Sequence, residues 1–316
     1  MTAVTEGTIL VTGGSGQVGA AVGELFSKAW PQRRVVLPGR ADLNLADPSS
    51  IRNAVQELRP RWIVSSAAYT AVDAAETDQE AAFAANAMAP AILAEEAARV
   101  GAGIVHLSTD YVFEGGGTRP WVETDPTGPR NVYGASKLAG EQGIAVADVP
   151  HVILRTSWVY SNGGKNFVRT MLRLLSTKTD PLRVVGDQHG GPTAAADLAE
   201  AIRAVIGFSE ERSASPAEGL AGLSGVYHCA GSGETTWAGL AGAVREFLEK
   251  EQGLHPPEII PVPSSAYPTP AARPLNSRLD CSKLLANFGV SMPKWEDSVA
   301  IACDALAQLD LPEPRA

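Results

Sequence analysis

Tyr133 and Lys137 are the two side chains with the most direct chemical use in this sequence. They begin and end the run Tyr133-Gly-Ala-Ser-Lys137, and this spacing places a phenol and an ammonium on one face of a helix. Because a nearby cation stabilises tyrosinate, the pair predicts a tyrosine pKa lowered toward the range where the phenol exchanges protons at neutral pH. Taken alone, the pair also fits a cation–aromatic contact on the surface.

Thr109 adds a hydroxyl to this pair. It lies in the string Ser108-Thr-Asp-Tyr-Val-Phe113, directly after an apolar run that predicts a strand. Ligands of open α/β sheets bind at the carboxyl ends of the strands, so Thr109 can hydrogen-bond the same substrate oxygen that Tyr133 protonates. Alone, Thr109 would be interpreted as a strand-end cap. With Tyr133 and Lys137 it forms a Thr–Tyr–Lys constellation.

The segment Thr12-Gly-Gly-Ser-Gly-Gln-Val-Gly19 indicates a site for the phosphates of a dinucleotide. Its glycines Gly13, Gly16 and Gly19 recur at three-residue intervals between a predicted strand and a predicted helix. Glycine permits the tight turn and a close backbone approach to a pyrophosphate, which the helix N-terminus stabilises. An ordinary turn is the alternative, and the strand-before, helix-after context favours the dinucleotide site.

The end of the second predicted strand concerns the choice of dinucleotide. It reads Leu37-Pro-Gly-Arg40 and lacks the acidic residue that would hold a ribose 2′-hydroxyl. Arg40 can neutralise a 2′-phosphate, although a solvated loop cation is the alternative. Asp42, followed by Leu43, offers a carboxylate to the adenine amino group. These residues favour NADPH as the cofactor, with NADH also accepted.

The elements that must position these residues alternate apolar strands with helices, which is typical of a Rossmann-like doubly wound parallel sheet. We expect an NAD(P)-binding Rossmann domain over residues 1–157, completed by a later segment near 182–230, and a smaller α+β substrate domain over 158–316. The predicted strands of the first half are 8–12, 34–37, 61–65, 103–108 and 151–155, with one long Ala-rich helix between the third and the fourth. The second half predicts helices at 165–175, 194–206, 236–251 and 295–309, a loop at 208–224 and an extended connection over the proline-rich stretch 256–274.

The composition limits the class of protein. The 316 residues are 45% hydrophobic and 19% charged, which excludes a disordered or coiled-coil protein. A formal charge of −9 without basic clusters excludes a nucleic-acid partner, and the lack of a long apolar run excludes a membrane partner. No export signal and three widely spaced cysteines predict a cytoplasmic protein. No catalytic metal spacing occurs, and we interpret His106 as a satisfied strand residue.

The glycine turn, Thr109, Tyr133 and Lys137 together resemble the extended short-chain dehydrogenase/reductase superfamily. Longer strings resemble one family within it, the dTDP-4-dehydrorhamnose reductases, over roughly residues 8–310. These strings are Thr70-Ala-Val-Asp73, Ser108-Thr-Asp-Tyr-Val-Phe113, Asn131-Val-Tyr-Gly134, Lys137-Leu-Ala-Gly-Glu141, Arg155-Thr-Ser-Trp-Val-Tyr160, Gly191-Pro-Thr193 and Tyr267-Pro-Thr-Pro270. The resemblance implies that NADPH reduces the 4-keto group of dTDP-4-dehydro-L-rhamnose to give dTDP-L-rhamnose, with a proton from Tyr133.

The resemblance also implies roles for further residues. The cofactor would be held by Gly13, Gly16, Gln17 and Val18 at the pyrophosphate, by Asp42 and Leu43 at the adenine, by Ala68, Tyr69 and Thr70 beside ribose and phosphates, and by Lys137 at the nicotinamide ribose. The sugar would contact Thr109 and Asp110 and pack against Trp158. The segment around Arg273 would close over the nucleotide part of the substrate.

The resemblance bears on metal and assembly as well. Some family members bind magnesium through carboxylates at a dimer interface, and the corresponding positions here are Ala21 and Ala196. An alanine side chain cannot ligate a hard cation, although Asp197 and Glu200 lie close by in the sequence. We therefore expect no bound metal and a monomer or a weak homodimer.

Two other functions stay open. A related nucleotide-sugar dehydratase or epimerase shares the fold, but dehydratases of this superfamily follow the threonine with an Asp-Glu pair. Here Tyr111 follows Asp110, which argues strongly against dehydration and less strongly against epimerisation. A non-catalytic regulatory subunit is the second alternative, but such a module has no need of Thr109, Tyr133 and Lys137.

Overall fold

A six-stranded parallel sheet lies at the centre of the protein, whose computed structural model describes residues 7–310. The described strands are β1 (Ile9–Thr12), β2 (Val35–Val36), β3 (Trp62–Ser65), β4 (Gly103–Thr109), β5 (His151–Thr156), β6 (Val159–Tyr160), β7 (Leu182–Val185), β8 (His189–Gly190), β9 (Thr193–Ala194), β10 (Gly225–His228), β11 (Thr235–Thr236), β12 (Ile259–Val262) and β13 (Asn276–Ser277). The described α-helices are α1 (Gln17–Ala29), α2 (Pro48–Leu58), α3 (Val72–Ala75), α4 (Gln79–Phe83), α5 (Ala89–Val100), α6 (Val132–Ala145), α7 (Phe167–Thr177), α8 (Ala195–Arg212), α9 (Pro216–Gly219), α10 (Trp237–Lys250), α11 (Ser282–Phe288) and α12 (Trp295–Asp310).

The strand order of the central sheet is β2-β1-β3-β4-β5-β10, and all of its pairs are parallel. The chain reverses its direction of travel across the sheet between β1 and β3. Ligands of doubly wound sheets bind at such a switch point, outside the carboxyl ends of the strands. The predicted Rossmann-like doubly wound parallel sheet is therefore confirmed, and the glycine turn and Thr109 lie at the ligand-binding edge.

Helices cover both faces of this sheet. On one face, α1 and α8 pack through buried side chains such as Val22, Phe26 and Ile202, and on the other α2, α5 and α6 bury Ile51, Leu93 and Ile144. The strands are buried on both faces, which explains their almost continuous apolar sequences. A second apolar core joins α7, α10 and α12 to β7.

Chain from the second half of the sequence also completes the sheet. β10 pairs with β5 along its whole length and covers the edge that β5 would otherwise present. The division of the chain at residue 157 into two domains stays a prediction. Within residues 7–310, no helix combines the length and the apolarity that are needed to cross a membrane.

Three predicted elements are wrong. The stretch 208–224 is not a loop, because α8 continues to Arg212 and α9 follows it; Phe208 packs edge-on against Phe288 with ring centroids 5.3 Å apart, which anchors this extension. The stretch 256–274 contains β12 and a short 3₁₀ turn. The single Ala-rich helix is divided into α3, α4, a π-helical turn at Ala84–Met88, and α5.

The glycine turn depends on close contact between backbone atoms. Gly13 has φ +73°, in the left-handed region. A Cβ atom at Gly19 would lie 2.1 Å from the carbonyl oxygen of Gly13, so the first turn of α1 fits against the turn only without a side chain there. Thr12 Oγ1 accepts hydrogen bonds from the amides of Ser66 and Ala67, both at 3.1 Å, and ties the turn to the end of β3.

We expect Gly19→Ala to displace the glycine turn, because the added methyl carbon meets backbone that cannot move aside. Binding of NADPH, measured by fluorescence titration, should weaken at least tenfold, a change of about 1.4 kcal/mol. Gly207→Ala in α8 is the matched control, since a Cβ there meets nothing within 4 Å; it should stabilise the fold by up to about 1 kcal/mol. Equal NADPH affinity in the Gly19 variant and the wild type would contradict this account.

Candidate active site

A cavity of about 1170 Å³ opens at the carboxyl ends of β1, β3 and β4. The glycine turn, the segment after β3, the end of β4, the start of α6 and the loop after β5 line it. The predicted site residues on its wall are Gly13, Gly16, Gln17, Val18, Ala68, Thr70, Thr109, Asp110, Tyr133, Lys137 and Trp158. The structure thus brings the glycine turn and the Thr–Tyr–Lys constellation to one site.

Five predicted site residues lie outside the wall of this cavity. Arg40 and Asp42 are exposed on the turn after β2, and Leu43 is buried in the core beneath them. The backbone of Tyr69 is hydrogen-bonded to the Asn86 side chain. The side chain of Arg273 is paired with the Asp73 carboxylate.

Tyr133 lies in the first turn of α6, which begins where the Asn131 side chain accepts a hydrogen bond from the Gly134 amide at 2.8 Å. Burial raises the pKa of Tyr133 to about 12, although a hydrogen bond with Thr109 acts in the opposite direction. The lowered tyrosine pKa that the spacing predicted is therefore wrong for this structure. The phenol keeps its proton at neutral pH, as a proton donor must.

Lys137 is buried and directs its ammonium toward β4. Its Nζ donates to the Leu107 carbonyl oxygen at 2.5 Å and lies 3.2 Å from Nε2 of His106. Burial lowers the pKa of Lys137 to about 8, and the negative charge of Glu141 opposes this shift. Lys137 is therefore positioned by β4 as well as by its own helix.

An ion pair one turn further along α6 fixes the helix against the sheet. Glu141 accepts from Nε and Nη2 of Arg155 at 2.9 and 2.6 Å, and from the hydroxyl of Ser108. Ser108 on β4 and Arg155 on β5 are direct neighbours across the strands. Because all three side chains are at most 5% exposed, the paired charges replace the water that each has lost.

Asn86 is a functional residue that the sequence analysis missed. Fully buried in the π-helical turn, it accepts from the Tyr69 amide at 2.8 Å and donates to the Tyr69 carbonyl oxygen and to Ser136 Oγ, both at 3.0 Å. It thereby joins the segment of Ala68 and Thr70 to α6. π-helical turns often mark functional sites. A single asparagine inside an alanine-rich run was the signal in the sequence.

Trp158 and Trp237 form one wall of the cavity. Their rings stack with centroids 3.7 Å apart and planes 13° apart, and the Trp237 indole donates to Gln188 Oε1 at 3.0 Å. Trp158 has φ +50°, which is strained for a residue with a side chain. A Cβ at Gly190 would lie 2.6 Å from its ring, so that glycine leaves the ring its place. Trp158 is predicted from the sequence as a site residue, whereas Trp237 is not.

Arg273 fastens the segment that follows the proline-rich stretch. Its Nη2 pairs with Asp73 at 2.7 Å, and the Ala271 amide donates to the same carboxylate at 3.1 Å. Asn131 donates to the Ala272 carbonyl oxygen at 2.8 Å. The segment is thus tied to α3 and to the start of α6, while the buried Nη1 of Arg273 has no hydrogen-bond partner among residues 7–310.

Asp110 is 2% exposed, and its Oδ1 accepts from Thr109 Oγ1 at 3.0 Å. Burial raises the pKa of its carboxyl from 3.8 to about 7. A carboxyl whose pKa is raised by folding binds its proton more tightly in the folded state. The protein therefore loses stability as the pH rises from about 4 through 7. The loss is at most about 1.4 kcal/mol for each unit by which folding raises the pKa of Asp110.

Asp110→Asn removes this buried charge. The variant should melt several degrees above the wild type at pH 8 and show a smaller difference at pH 5, as measured by thermal unfolding. At about 2.1 cal/mol/K per residue, one kcal/mol corresponds to about 1.5 °C in a chain of 316 residues. Asp180→Asn, at an exposed position, is the control and should show no pH-dependent difference. A difference between Asp110→Asn and the wild type that is equal at both pH values would exclude a titrating Asp110.

Comparison with known proteins gives one consistent family. The family described as the RmlD substrate binding domain matches residues 7–308. A dTDP-4-dehydrorhamnose reductase of Sinorhizobium fredii is 44% identical over 290 residues, which cover 92% of this chain and 94% of that protein.

Solved structures agree with this match. The crystal structure of a dTDP-4-dehydrorhamnose reductase from Clostridium acetobutylicum has a TM-score of 0.84 at 32% identity, covering 95% of this chain and 99% of that one. One from Bacillus anthracis, in complex with NADP, has a TM-score of 0.83 at 32% identity, covering 93% and 98%. The chain therefore belongs to the family of the dTDP-4-dehydrorhamnose reductases.

Proposed function

We propose that the protein reduces the 4-keto group of dTDP-4-dehydro-L-rhamnose with NADPH and forms dTDP-L-rhamnose. The observation that carries this proposal is the meeting of Thr109, Tyr133 and Lys137 with the glycine turn in one cavity. The identity to proteins named dTDP-4-dehydrorhamnose reductase supports the substrate. The Bacillus anthracis relative in complex with NADP supports the cofactor.

The residues at the glycine turn fit a dinucleotide. No side chain caps the N-terminus of α1, and a Cβ at Gly16 would have only the Gly13 carbonyl oxygen near it, at 3.2 Å. The backbone of Gly16, Gln17 and Val18 lines the cavity and is suited to a pyrophosphate. Ala68 and Thr70, held by Asn86, form the opposite wall beside the ribose. A bound NADPH supplies the hydride that reduces the carbonyl carbon.

Thr109, Tyr133 and Lys137 have different roles toward the oxygen of the 4-keto group. Tyr133 donates its phenolic proton to this oxygen as negative charge develops on it, and the Thr109 hydroxyl hydrogen-bonds the same atom. The Lys137 ammonium favours the tyrosinate that remains. Trp158 packs against the sugar ring, and Asp110 contacts its hydroxyls.

Lys165 and Arg40 are suited to the phosphates of the cofactor. Lys165 and Lys137 are the cations among the described residues that line the cavity, and Lys165 is exposed. Its loop is tied to the glycine turn because Ser161 Oγ donates to Gln17 Oε1 at 3.0 Å. We assign Lys165 to the pyrophosphate. Arg40, exposed after β2, is assigned to the 2′-phosphate, with Asp42 and Leu43 beside the adenine.

The alternative functions have less support. Tyr111 occupies the position where a dehydratase carries its second carboxylate, and its ring packs edge-on against Tyr133 with centroids 5.6 Å apart. The second carboxylate of a dehydratase is therefore missing here. A regulatory subunit has no use for the buried partners that hold Lys137.

We also propose a cytoplasmic monomer or weak homodimer without bridging magnesium. Ala21 and Ala196 offer no ligand, and the neighbouring Asp197 carboxylate already accepts a hydrogen bond from Ser298 Oγ at 2.6 Å. Within residues 7–310, no group of three His, Cys, Asp or Glu side chains is arranged to hold a metal ion.

Tyr133→Phe should lower kcat for dTDP-4-dehydrorhamnose by about 10²–10⁴, the usual contribution of a general acid. The affinity for NADPH should stay within threefold, because the ring and its packing are retained. Tyr227→Phe is the matched control, since Tyr227 lies on β10, away from the cavity, and its hydroxyl donates to the Leu223 carbonyl oxygen; it should leave kcat within twofold. NADPH oxidation measures both, and unchanged turnover with Phe at position 133 would refute the assignment.

Arg40→Gln and Lys165→Gln should separate the two phosphate contacts. Arg40→Gln should weaken NADPH binding about tenfold and leave NADH unchanged, because only NADPH carries the 2′-phosphate; tenfold corresponds to about 1.4 kcal/mol. Lys165→Gln should weaken both dinucleotides alike, since they share the pyrophosphate. Lys178→Gln, exposed at the other end of α7, is the control. A Lys165 variant that binds both dinucleotides normally and loses affinity for dTDP would contradict the pyrophosphate assignment and place Lys165 at the diphosphate of the nucleotide-sugar substrate.

A further inference from the structure

His106 connects the ammonium of Lys137 to the interior of the sheet. It lies on β4 with no exposed surface, its Nε2 is 3.2 Å from Lys137 Nζ, and its Nδ1 is 3.0 Å from Oγ of Ser65 on β3. These contacts give the histidine a role beyond that of the satisfied strand residue that the sequence predicted.

The chemistry of the three groups fixes the protonation of the ring. An ammonium has donors and no acceptor, so Nε2 must present its lone pair to Lys137. A neutral imidazole then carries its proton on Nδ1, which donates to Ser65 Oγ. Burial and the neighbouring ammonium both hold the pKa of His106 well below its ordinary value, so the ring stays neutral.

The arrangement leaves Lys137 one free donor. The Leu107 carbonyl oxygen and His106 Nε2 take two of the three N–H bonds of the ammonium, and both acceptors belong to β4. Lys137 also lines the cavity. With two donors held by the strand, the remaining N–H is available to a ligand in the cavity that Lys137 lines.

We propose that His106 is a positioning residue for the reaction: its Nε2 lone pair, oriented by the Nδ1–H···Ser65 contact, aims the third N–H of Lys137 at the cofactor ribose and Tyr133. This rests on the proposed reductase function. The ring itself touches neither substrate nor cofactor. Its effect reaches the reacting oxygen only through Lys137.

The other titratable and charged groups near this site must be kept constant in a test. Glu141 acts on Lys137 by its charge and is paired with Arg155, and Asp110 acts by its charge on Tyr133. None of these contacts His106 in the described residues. Replacing the histidine therefore removes one acceptor of the ammonium and leaves the other charges in place.

The first experiment does not need turnover. Long-range ¹H–¹⁵N spectra of histidine-labelled protein, assigned with a His106→Gln sample, should show His106 as the Nδ1–H tautomer with no titration between pH 5 and 9. An Nε2–H tautomer, or a ring that titrates near 6.5, would overturn the proposal. This result is independent of the sugar substrate, so it stands or fails separately from the reductase assignment.

The second experiment uses paired substitutions at His106. His106→Phe keeps the ring volume and removes the acceptor, whereas His106→Gln retains an amide oxygen that can accept from Lys137. We expect kcat to fall at least tenfold in the Phe variant and less than threefold in the Gln variant. The basic limb of the pH–kcat profile should move to lower pH in the Phe variant and stay in place in the Gln variant, because only the Phe variant has lost the acceptor that stabilises the ammonium.

Two further variants complete the design. His151→Phe is the control, since this partly buried histidine on β5 has its imidazole hydrogen-bonded to the Val149 carbonyl oxygen and should leave the pH profile unchanged. Ser65→Ala keeps the imidazole of His106 but removes the hydroxyl that holds the proton on Nδ1. It should therefore shift the pH–kcat profile in the same direction as His106→Phe, by a smaller amount. This variant provides the test if His106→Phe does not fold. An unshifted profile in every folded variant, or equal loss of kcat in the Phe and Gln variants, would overturn the proposal.

Discussion

A buried ammonium keeps its charge only where protein atoms replace the water it has lost, and the active site is arranged to meet this requirement for Lys137. The Leu107 carbonyl oxygen and His106 supply acceptors from β4, and Glu141 supplies the compensating charge one helical turn away. Glu141 is itself buried and needs Arg155. This chain of compensation links β4, β5 and α6, the helix on which Tyr133 lies.

The cavity wall formed by Trp158 and Trp237 depends on side-chain packing that holds a strained backbone. A residue other than glycine at φ +50° costs of order 1–3 kcal/mol. Trp158 is kept there because its ring stacks on Trp237 and fills the space that Gly190 leaves. Trp237 is held in turn by Gln188. This wall of the cavity is thus supported from the second half of the chain.

The sequence predicted those parts of the site whose partners are close along the chain. The spacing of Tyr133 and Lys137 needs only one helix, and the glycine turn needs only one strand and one helix, so both were found. The partners of Lys137 and the role of Asn86 depend on contacts between distant segments, and a single sequence does not show them. The predicted lowering of the Tyr133 pKa is wrong for the same reason, because this pKa depends on the burial of the phenol.

The pairing of β10 with β5 has a consequence for the chain before it is complete. Until residue 228 has left the ribosome, the buried strand His151–Thr156 ends the sheet as an open edge with unpaired amides and carbonyls. Such an edge is a template for pairing with another chain. The last strand of the sheet therefore protects the newly made protein from aggregation, and this protection arrives only after the catalytic residues are already in place.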